Sequence, residues 1–178
     1  MRKIFEHFID ELEARSAIQD CLLRFARAID RKDWDAALSS YHEDGYDDHG
    51  FFKGPAAQFI ELLKKTHANQ DHSMHLCTNI VIDFKSTNIA LVESYIIAIQ
   101  RFLPEAGQAL GARNIGIARY LDHFEWRDGH WRVLKRVLVL GDIIRSPMTE
   151  LLAFPPGFEV QKHGRDDILY ELLKNIVA

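Results

Sequence analysis

Residues 18–35 of this 178-residue chain read IQDCLLRFARAIDRKDWD, and their spacing predicts the end of a long amphipathic helix. Leu23, Ala26 and Asp30 stand at positions i, i+3 and i+7, which lie on one side of a helix with 3.6 residues per turn. We therefore expect the carboxylate of Asp30 to point toward the protein interior. A buried carboxylate without a partner is costly or takes up a proton, so this pattern predicts a polar partner elsewhere in the chain.

The N-terminal part of the chain is predicted to be helical. Apolar residues recur at helical spacing over residues 8–29, and Asp33 is suited to cap a second, short helix at 34–41. The polar run at 42–45 is expected to break that helix. A proline suits the first position of a third helix at about 55–67.

The second half of the chain has the pattern of a sheet. After the polar residues 69–72 the apolar period changes from 3.6 to 2, which is typical of strands. The predicted strands are 74–84, 89–102, 113–126 and 130–141. Asp128-Gly129 is expected to turn the last hairpin. Helices followed by long antiparallel strands predict an α+β fold.

A boundary is expected near residue 142. Residues 1–142 are predicted to form the main domain, and 143–178 form an extension that is interrupted by prolines. An apolar stripe predicts a final helix at 165–177. That helix either packs on its own domain or covers a neighbouring subunit, and the sequence leaves both interpretations open.

Composition narrows the class of protein. The 47% hydrophobic and 27% charged fractions are those of a single globular domain, and the net charge of -4 without a basic run argues against nucleic-acid binding. No apolar run reaches the ~18 residues of a membrane helix. The N-terminus lacks the apolar segment of a signal peptide, so a cytoplasmic protein is expected. Cys21 and Cys77 are interpreted as small buried hydrophobic residues rather than as a disulfide.

The strand predicted at 74–84 offers a partner for Asp30. Its alternation places His75, Cys77 and Asn79 on one face. The opposite face is assigned Leu76, Thr78, Ile80 and Ile82. A carboxylate that accepts one imidazole N–H fixes the tautomer and leaves the other nitrogen to take a proton. Asp30 and His75 are therefore candidate catalytic residues, and the alternative is that the pair only ties a helix to the sheet.

Three segments carry a resemblance to a known family. AIDRKDWD at 28–35, HLCTN at 75–79 and RYLDHFEWRDGHW at 119–131 resemble the SnoaL-like branch of the nuclear transport factor 2-like superfamily. Within it, the chain is most similar to the group of scytalone dehydratase and hexachlorocyclohexane dehydrochlorinase. The resemblance covers roughly residues 16–142. It implies a cone-shaped barrel in which a strongly curved antiparallel sheet wraps around N-terminal helices and encloses a pocket, in a trimeric or dimeric homo-oligomer.

The resemblance also implies a chemistry. In those two enzymes an Asp-His dyad removes a proton so that water or chloride leaves without a metal or organic cofactor, and Asp30 and His75 fall on that dyad. We hypothesise a cofactor-free lyase, of the dehydratase or dehydrohalogenase type, that acts on a small, hydrophobic, cyclic substrate. Scytalone dehydratase has a second histidine on the strand that here spans 89–102, and this chain has none there. That departure leaves open an isomerase or cyclase with the same base.

A non-catalytic protein is the remaining alternative. The same fold serves small-molecule binding modules and the small subunit of ring-hydroxylating dioxygenases, so the fold alone does not assign a function.

Four other residues are candidates for substrate binding, namely Tyr95, Arg119, Asn79 and Trp34. Arg119 is suited to hold an oxygen on which negative charge develops. The alternatives are a surface salt bridge for Arg119 and core packing for Tyr95 and Trp34.

Two clusters of acidic and histidine side chains are candidates for metal ligation. These are Asp71, His72 and His75, and Asp47-Asp48-His49. An offset of three in an extended segment sends the rings of His72 and His75 to opposite faces, so no metal site is predicted.

Overall fold

A computed structural model of the chain describes residues 4–150 and 155–176. The helices are α1 (Phe8–Asp30), α2 (Trp34–Leu38), α3 (Ala56–Thr66) and α4 (Ile168–Ile176), with a 3-10 turn at His67–Asn69. The strands are β1 (Tyr41–Asp48), β2 (Lys53–Pro55), β3 (Gln70–Ser86), β4 (Ile89–Phe102), β5 (Ala112–Arg127) and β6 (His130–Pro147). The predicted α+β class is confirmed. None of the helices described here is both long and apolar enough to cross a membrane.

The six strands form one open sheet in the order β2-β1-β6-β5-β4-β3. All neighbours are antiparallel except β1 and β6, which are parallel, so the sheet is mixed rather than purely antiparallel. Helix α1 packs on β3 and β6 and buries its apolar face against the sheet. Ile18 and Phe25 of α1 belong to the same core as Val92, Phe124 and Val133 of the strands. Some residues of this core, Phe25 among them, also line a cavity between the helices and the sheet.

The first strand begins earlier than the sequence indicates, since a short strand or loop is predicted at residues 46–52 and β1 spans Tyr41–Asp48. Residues 42–45 belong to β1, whereas they were expected to end a helix that stops earlier, at Leu38. Gly45 allows a sharp bend in β1, since a Cβ there would lie 2.8 Å from the carbonyl oxygen of His42. The strand is stabilised by pairing with β6, which lies about ninety residues later in the chain, and local patterns cannot indicate such a partner.

Two other boundaries differ from the prediction. Strand β3 begins at Gln70, inside the polar segment that was expected to separate helix from sheet. Strand β6 runs past Asp142 to Pro147, so the expected domain boundary falls within a strand. The predictions that concern residues 1–3 and Val177 lie outside the described residues.

The helical face that carries Asp30 also needs a correction. Asp30 is buried as expected, but Leu23 is 50% exposed, and the buried residues of this part of α1 are Cys21, Leu22, Phe25, Ala28 and Ile29. Strand β3 and the segment 161–167 meet the end of α1 and bury Asp30. The helical face that Asp30 shares with Leu23 does not bury it. Cys21 is buried, Cys77 is half-buried, and both are free thiols.

The segment 161–167 packs on the end of α1 and on β3. The side-chain amide of Gln161 donates to the carbonyl oxygen of Ser73 at 2.8 Å, and Nδ1 of His163 donates to the carbonyl oxygen of Asp30 at 2.7 Å. Arg31 and Asp167 form an ion pair at 3.3 Å. Residues 161–167 of the C-terminal extension therefore pack on their own domain. Contact with a neighbouring subunit stays a prediction.

A buried ion pair joins β5 to β6. Arg136 donates two hydrogen bonds to the carboxylate of Asp122, at 2.8 and 2.7 Å, and both side chains are fully buried. The guanidinium lies 3.9 Å from the ring centre of Tyr120 and 4.5 Å from that of Phe25. The pair is thus held by strand register and by aromatic contacts on the inner face of the sheet.

We expect Asp122→Ala to lower the free energy of unfolding by about 3–5 kcal/mol, because it leaves the guanidinium of Arg136 buried and unpaired. Urea unfolding followed by circular dichroism measures this. Glu93→Ala, which removes the exposed pair of Glu93 with Arg119, is the matched control and should cost about 0–1 kcal/mol. Equal losses in the two variants would contradict the structural role assigned to the buried pair.

Candidate active site

Asp30 and His75 are in direct contact. Asp30 ends α1, and its Oδ1 accepts a hydrogen bond from Nδ1 of His75 at 2.7 Å. Its Oδ2 accepts the backbone N–H of His75 at 2.9 Å, and the hydroxyl of Ser73 donates to Oδ1 at 3.0 Å. Since an ionised carboxylate only accepts, Nδ1 carries the ring proton and Nε2 is left free to accept another. The structure therefore brings together the two residues that the sequence singled out as a possible base.

The pKa of Asp30 lies below its ordinary value of 3.8. Burial raises the pKa of this carboxyl, but the hydrogen bonds and charge of His75 and the hydroxyl of Ser73 lower it by more. Asp30 is therefore ionised at neutral pH. A fixed negative charge at this distance orients the imidazole and stabilises its protonated form.

The alternation of side chains along β3 points His75 toward the protein interior, and a β-bulge turns Asn79 away from it. Ser73, His75 and Cys77 face inward, but a β-bulge follows Thr78, and Asn79 adopts a φ of 49°. The extra residue reverses the phase of the strand, and asparagine tolerates this left-handed conformation better than most residues. As a result Ile80 and Ile82 turn inward, contrary to the sequence prediction, and Asn79 is exposed and outside the cavity.

The ring of His75 borders a cavity of about 330 Å³. Its walls come from α1, α3 and the inner faces of β4, β5 and β6. The lining is mainly aliphatic and aromatic: Phe25, Ile29, Phe51, Phe59, Leu63, Ile96, Ala98, Phe102, Ala118, Tyr120, Leu138, Leu140 and Ile143. This size and composition are typical of a site for a small apolar molecule.

A second histidine, His67, lies in the cavity wall beside His75. It is buried at the end of α3, and burial lowers its pKa to about 3, with the charges of His75, His163 and Lys32 adding to the effect. His67 is therefore neutral at physiological pH. Trp34, a candidate for substrate binding, packs edge-on against this ring at 5.8 Å and does not line the cavity itself.

A third histidine, His49, enters the cavity from the segment that follows β1. Its Nδ1 is hydrogen-bonded to Asp47, and the hydroxyl of Tyr41 donates to the other oxygen of Asp47 at 2.6 Å. The His49 ring stacks on Phe59 with 4.2 Å between ring centres. Sequence reasoning weighed Asp47 and His49 only as metal ligands. Their i, i+2 spacing, which places two side chains on one face of an extended segment, is the signal that would have indicated contact.

Tyr95 and Arg119 lie on the outer face of the sheet. Tyr95 is 45% exposed because its neighbours on β4, Ser94 and Ile96, are the residues that face inward. Arg119 pairs with Tyr95 across the strands and forms an ion pair with Glu93 at 2.5 Å. This placement corrects the assignment of both residues to the pocket, and for Arg119 it matches the salt-bridge alternative.

His72 and His75 border different cavities, as their offset on a strand predicts. His72 lies with Arg101 and Arg113 beside residues 155–161 of the C-terminal extension. Within residues 4–150 and 155–176, no three or more His, Cys, Asp or Glu side chains are clustered in a way that would hold a metal ion.

Comparison with known proteins identifies a family. Residues 10–137 match the profile of the SnoaL-like domain. A search of curated protein sequences finds no significant match.

Solved structures share the fold at low sequence identity. A candidate scytalone dehydratase from Novosphingobium aromaticivorans superimposes with a TM-score of 0.69 at 21% identity, over 85% of this chain and 99% of that chain. A hexachlorocyclohexane dehydrochlorinase from Novosphingobium barchaimii gives 0.68 at 21% identity, over 84% and 100%. A candidate aromatic ring hydroxylase from Novosphingobium aromaticivorans gives 0.65 at 23% identity, over 77% and 94%. These matches agree with the resemblance seen in the sequence, and proteins with different named activities share this fold.

We expect Asp30→Asn to destabilise the protein near neutral pH, and the difference from wild type to shrink as the pH falls below about 4. The pKa of Asp30 is lowered in the folded state, so its stabilising contribution is present above the ordinary value of 3.8 and is lost as the pH falls through the folded pKa. Urea unfolding across this pH range measures the effect. Asp128→Asn, in the exposed hairpin turn, is the control. A difference between wild type and Asp30→Asn that stays constant with pH would contradict the assignment.

Proposed function

Because this chain belongs to the SnoaL-like domain family, we propose that it is a lyase in which His75, oriented by Asp30, removes a proton from a small apolar substrate. One observation carries the proposal. His75 donates through Nδ1 to a buried carboxylate, and the same ring borders an apolar cavity large enough for a ring-sized molecule. Its Nε2 is then the nitrogen available to a bound substrate.

The proposed reaction uses only groups of this chain. Nε2 of His75 takes the proton from a carbon next to a carbonyl group, and the negative charge of Asp30 stabilises the imidazolium that forms. The leaving group then departs from the adjacent carbon as the double bond forms. Because the walls are apolar, they exclude water and strengthen the interaction between carboxylate and imidazolium.

The substrate class follows from the shape and lining of the cavity. About 330 Å³ of space among aromatic and aliphatic side chains suits a compact, hydrophobic, cyclic compound with a few polar substituents. Two of the proteins that share the fold are named for eliminations, of water and of hydrogen chloride. We propose that this chain also catalyses an elimination. An isomerase with the same base is the alternative, and it would leave the mass of the substrate unchanged.

We expect His75→Ala and Asp30→Ala to reduce turnover of cyclic β-hydroxy ketones by at least about 10²–10⁴-fold, the usual contribution of a general base. Formation of the conjugated enone is followed by ultraviolet absorbance and mass spectrometry, and folding is checked by circular dichroism. His72→Ala, on the same strand but at the other cavity, is the matched control and should keep wild-type activity.

Full activity in His75→Ala would contradict the proposal. A product of unchanged mass would favour the isomerase. Binding without turnover across a panel of such ketones would favour a non-catalytic member of the family.

A further inference from the structure

Two imidazole rings in the cavity wall are each hydrogen-bonded through Nδ1 to a buried carboxylate. His75 is held by Asp30 at the end of α1, and His49 is held by Asp47 at the end of β1. Strand β3 is at one edge of the sheet and β1 is next to the other edge. Both rings line the same cavity, and the strands β3 and β1 lie toward opposite edges of the sheet.

Within the described residues, His49 is the only basic side chain that contacts the carboxylate of Asp47. Asp47 is completely buried, and within the described residues its side chain has no lysine or arginine partner. Its second oxygen accepts the hydroxyl of Tyr41, whose pKa is raised well above its ordinary value by burial, so this group stays a neutral donor. Arg136, the nearby guanidinium, is already paired with Asp122. The imidazole of His49 is thus the group left to balance the charge of Asp47.

The His49 ring is also held in place. It stacks on Phe59 at 4.2 Å and lies 5.7 Å from the ring centre of Tyr120. Since Asp47 occupies Nδ1, the N–H that can reach a bound molecule is that of Nε2. A ring fixed in this way on an apolar wall is suited to donate a proton, because little reorganisation is needed at the moment of reaction.

We propose that His49 is the general acid that protonates the oxygen of the leaving group, and that the substrates of this site carry a hydroxyl rather than a halide at the β carbon. The inference rests on the proposed function, in which His75 is the base. The β4 residues that line the cavity do not include an acid that could take this role, since they are Ile96, Ala98, Gln100 and Phe102. Asp47 acts through His49 and is a positioning residue.

The proposed step is an elimination of water from the substrate. The C–H bond breaks and its proton goes to Nε2 of His75, while its electron pair forms the C=C bond. The C–O bond breaks with its electrons on oxygen, which takes the proton from Nε2 of His49 and leaves as water. The site then holds a protonated His75 and a neutral His49, and proton exchange with solvent restores both.

The test compares two substrates that give the same product. We expect His49→Gln to lower kcat/KM for 3-hydroxycyclohexanone by about 10²–10⁴-fold, and for 3-chlorocyclohexanone by less than about fivefold, because chloride leaves without a proton. Asp47→Asn should show the same split. His130→Gln, at the exposed end of the last hairpin, is the matched control and should change neither rate. The rates of the His75→Ala variant measure how fast each compound eliminates without the proposed base.

The outcomes separate the two proposals. Elimination that depends on His75 but falls equally for both substrates in His49→Gln, or falls for neither, would overturn the role of His49 and leave the base intact. Elimination of neither compound by wild type would overturn the proposed function, and the role of His49 with it.

A measurement on the wild type covers the case in which His49→Gln fails to fold. Proton transfer to the leaving oxygen predicts a normal solvent isotope effect on kcat in D₂O for the hydroxy compound, and an effect close to unity for the chloro compound. Equal effects for the two compounds would overturn the assignment.

Discussion

The carboxylate of Asp30 is ionised although its surroundings disfavour a negative charge, and the site depends on the hydrogen bonds that stabilise this charge. Asp30 is the last residue of α1, where the helix dipole is negative, and it is almost completely buried. Three hydrogen bonds from Ser73 and His75 stabilise the charge. Because these donors all belong to β3, the charge is stable only when helix and strand meet in one register. The interaction that orients the base therefore also fixes how α1 packs on the sheet.

Three buried carboxylates on the inner side of the protein have partners of different chemistry. Asp122 is paired with a guanidinium, which stays protonated at any physiological pH, so that pair can only stabilise the sheet. Asp30 and Asp47 are paired with imidazoles, which, unlike a guanidinium, are able to donate or accept a proton, and both rings border the cavity. The fold thus keeps a permanent charge pair within its core and places the two exchangeable pairs where a small molecule can reach them.

Sequence patterns predicted the helices and the long strands, because these follow from local periodicity. The burial of Asp30 was predicted from the same periodicity, but it comes from β3 and the segment 161–167 that meet the end of α1. The contact with His75 followed from the alternation of β3, which is regular up to Thr78. Two failures have non-local causes. The bulge at Asn79 lies where β3 pairs with β4, and β1 is paired with β6, which lies about ninety residues later in the chain. The contact of His49 with Asp47 was missed although their i, i+2 spacing is a local signal, because that signal applies only to an extended segment and the sequence left open whether residues 46–52 form a strand or a loop.

The hydrogen bonds of Gln161 and His163 have a consequence for the order in which the protein is assembled. They contact the backbone of Ser73 and Asp30, residues made 88 and 133 positions earlier. A growing chain already contains α1, all six strands and both residues of the Asp30–His75 contact before residues 161–163 are added. The last contacts around the base therefore form late in biosynthesis, and a chain interrupted before residue 161 would present its cavity without them.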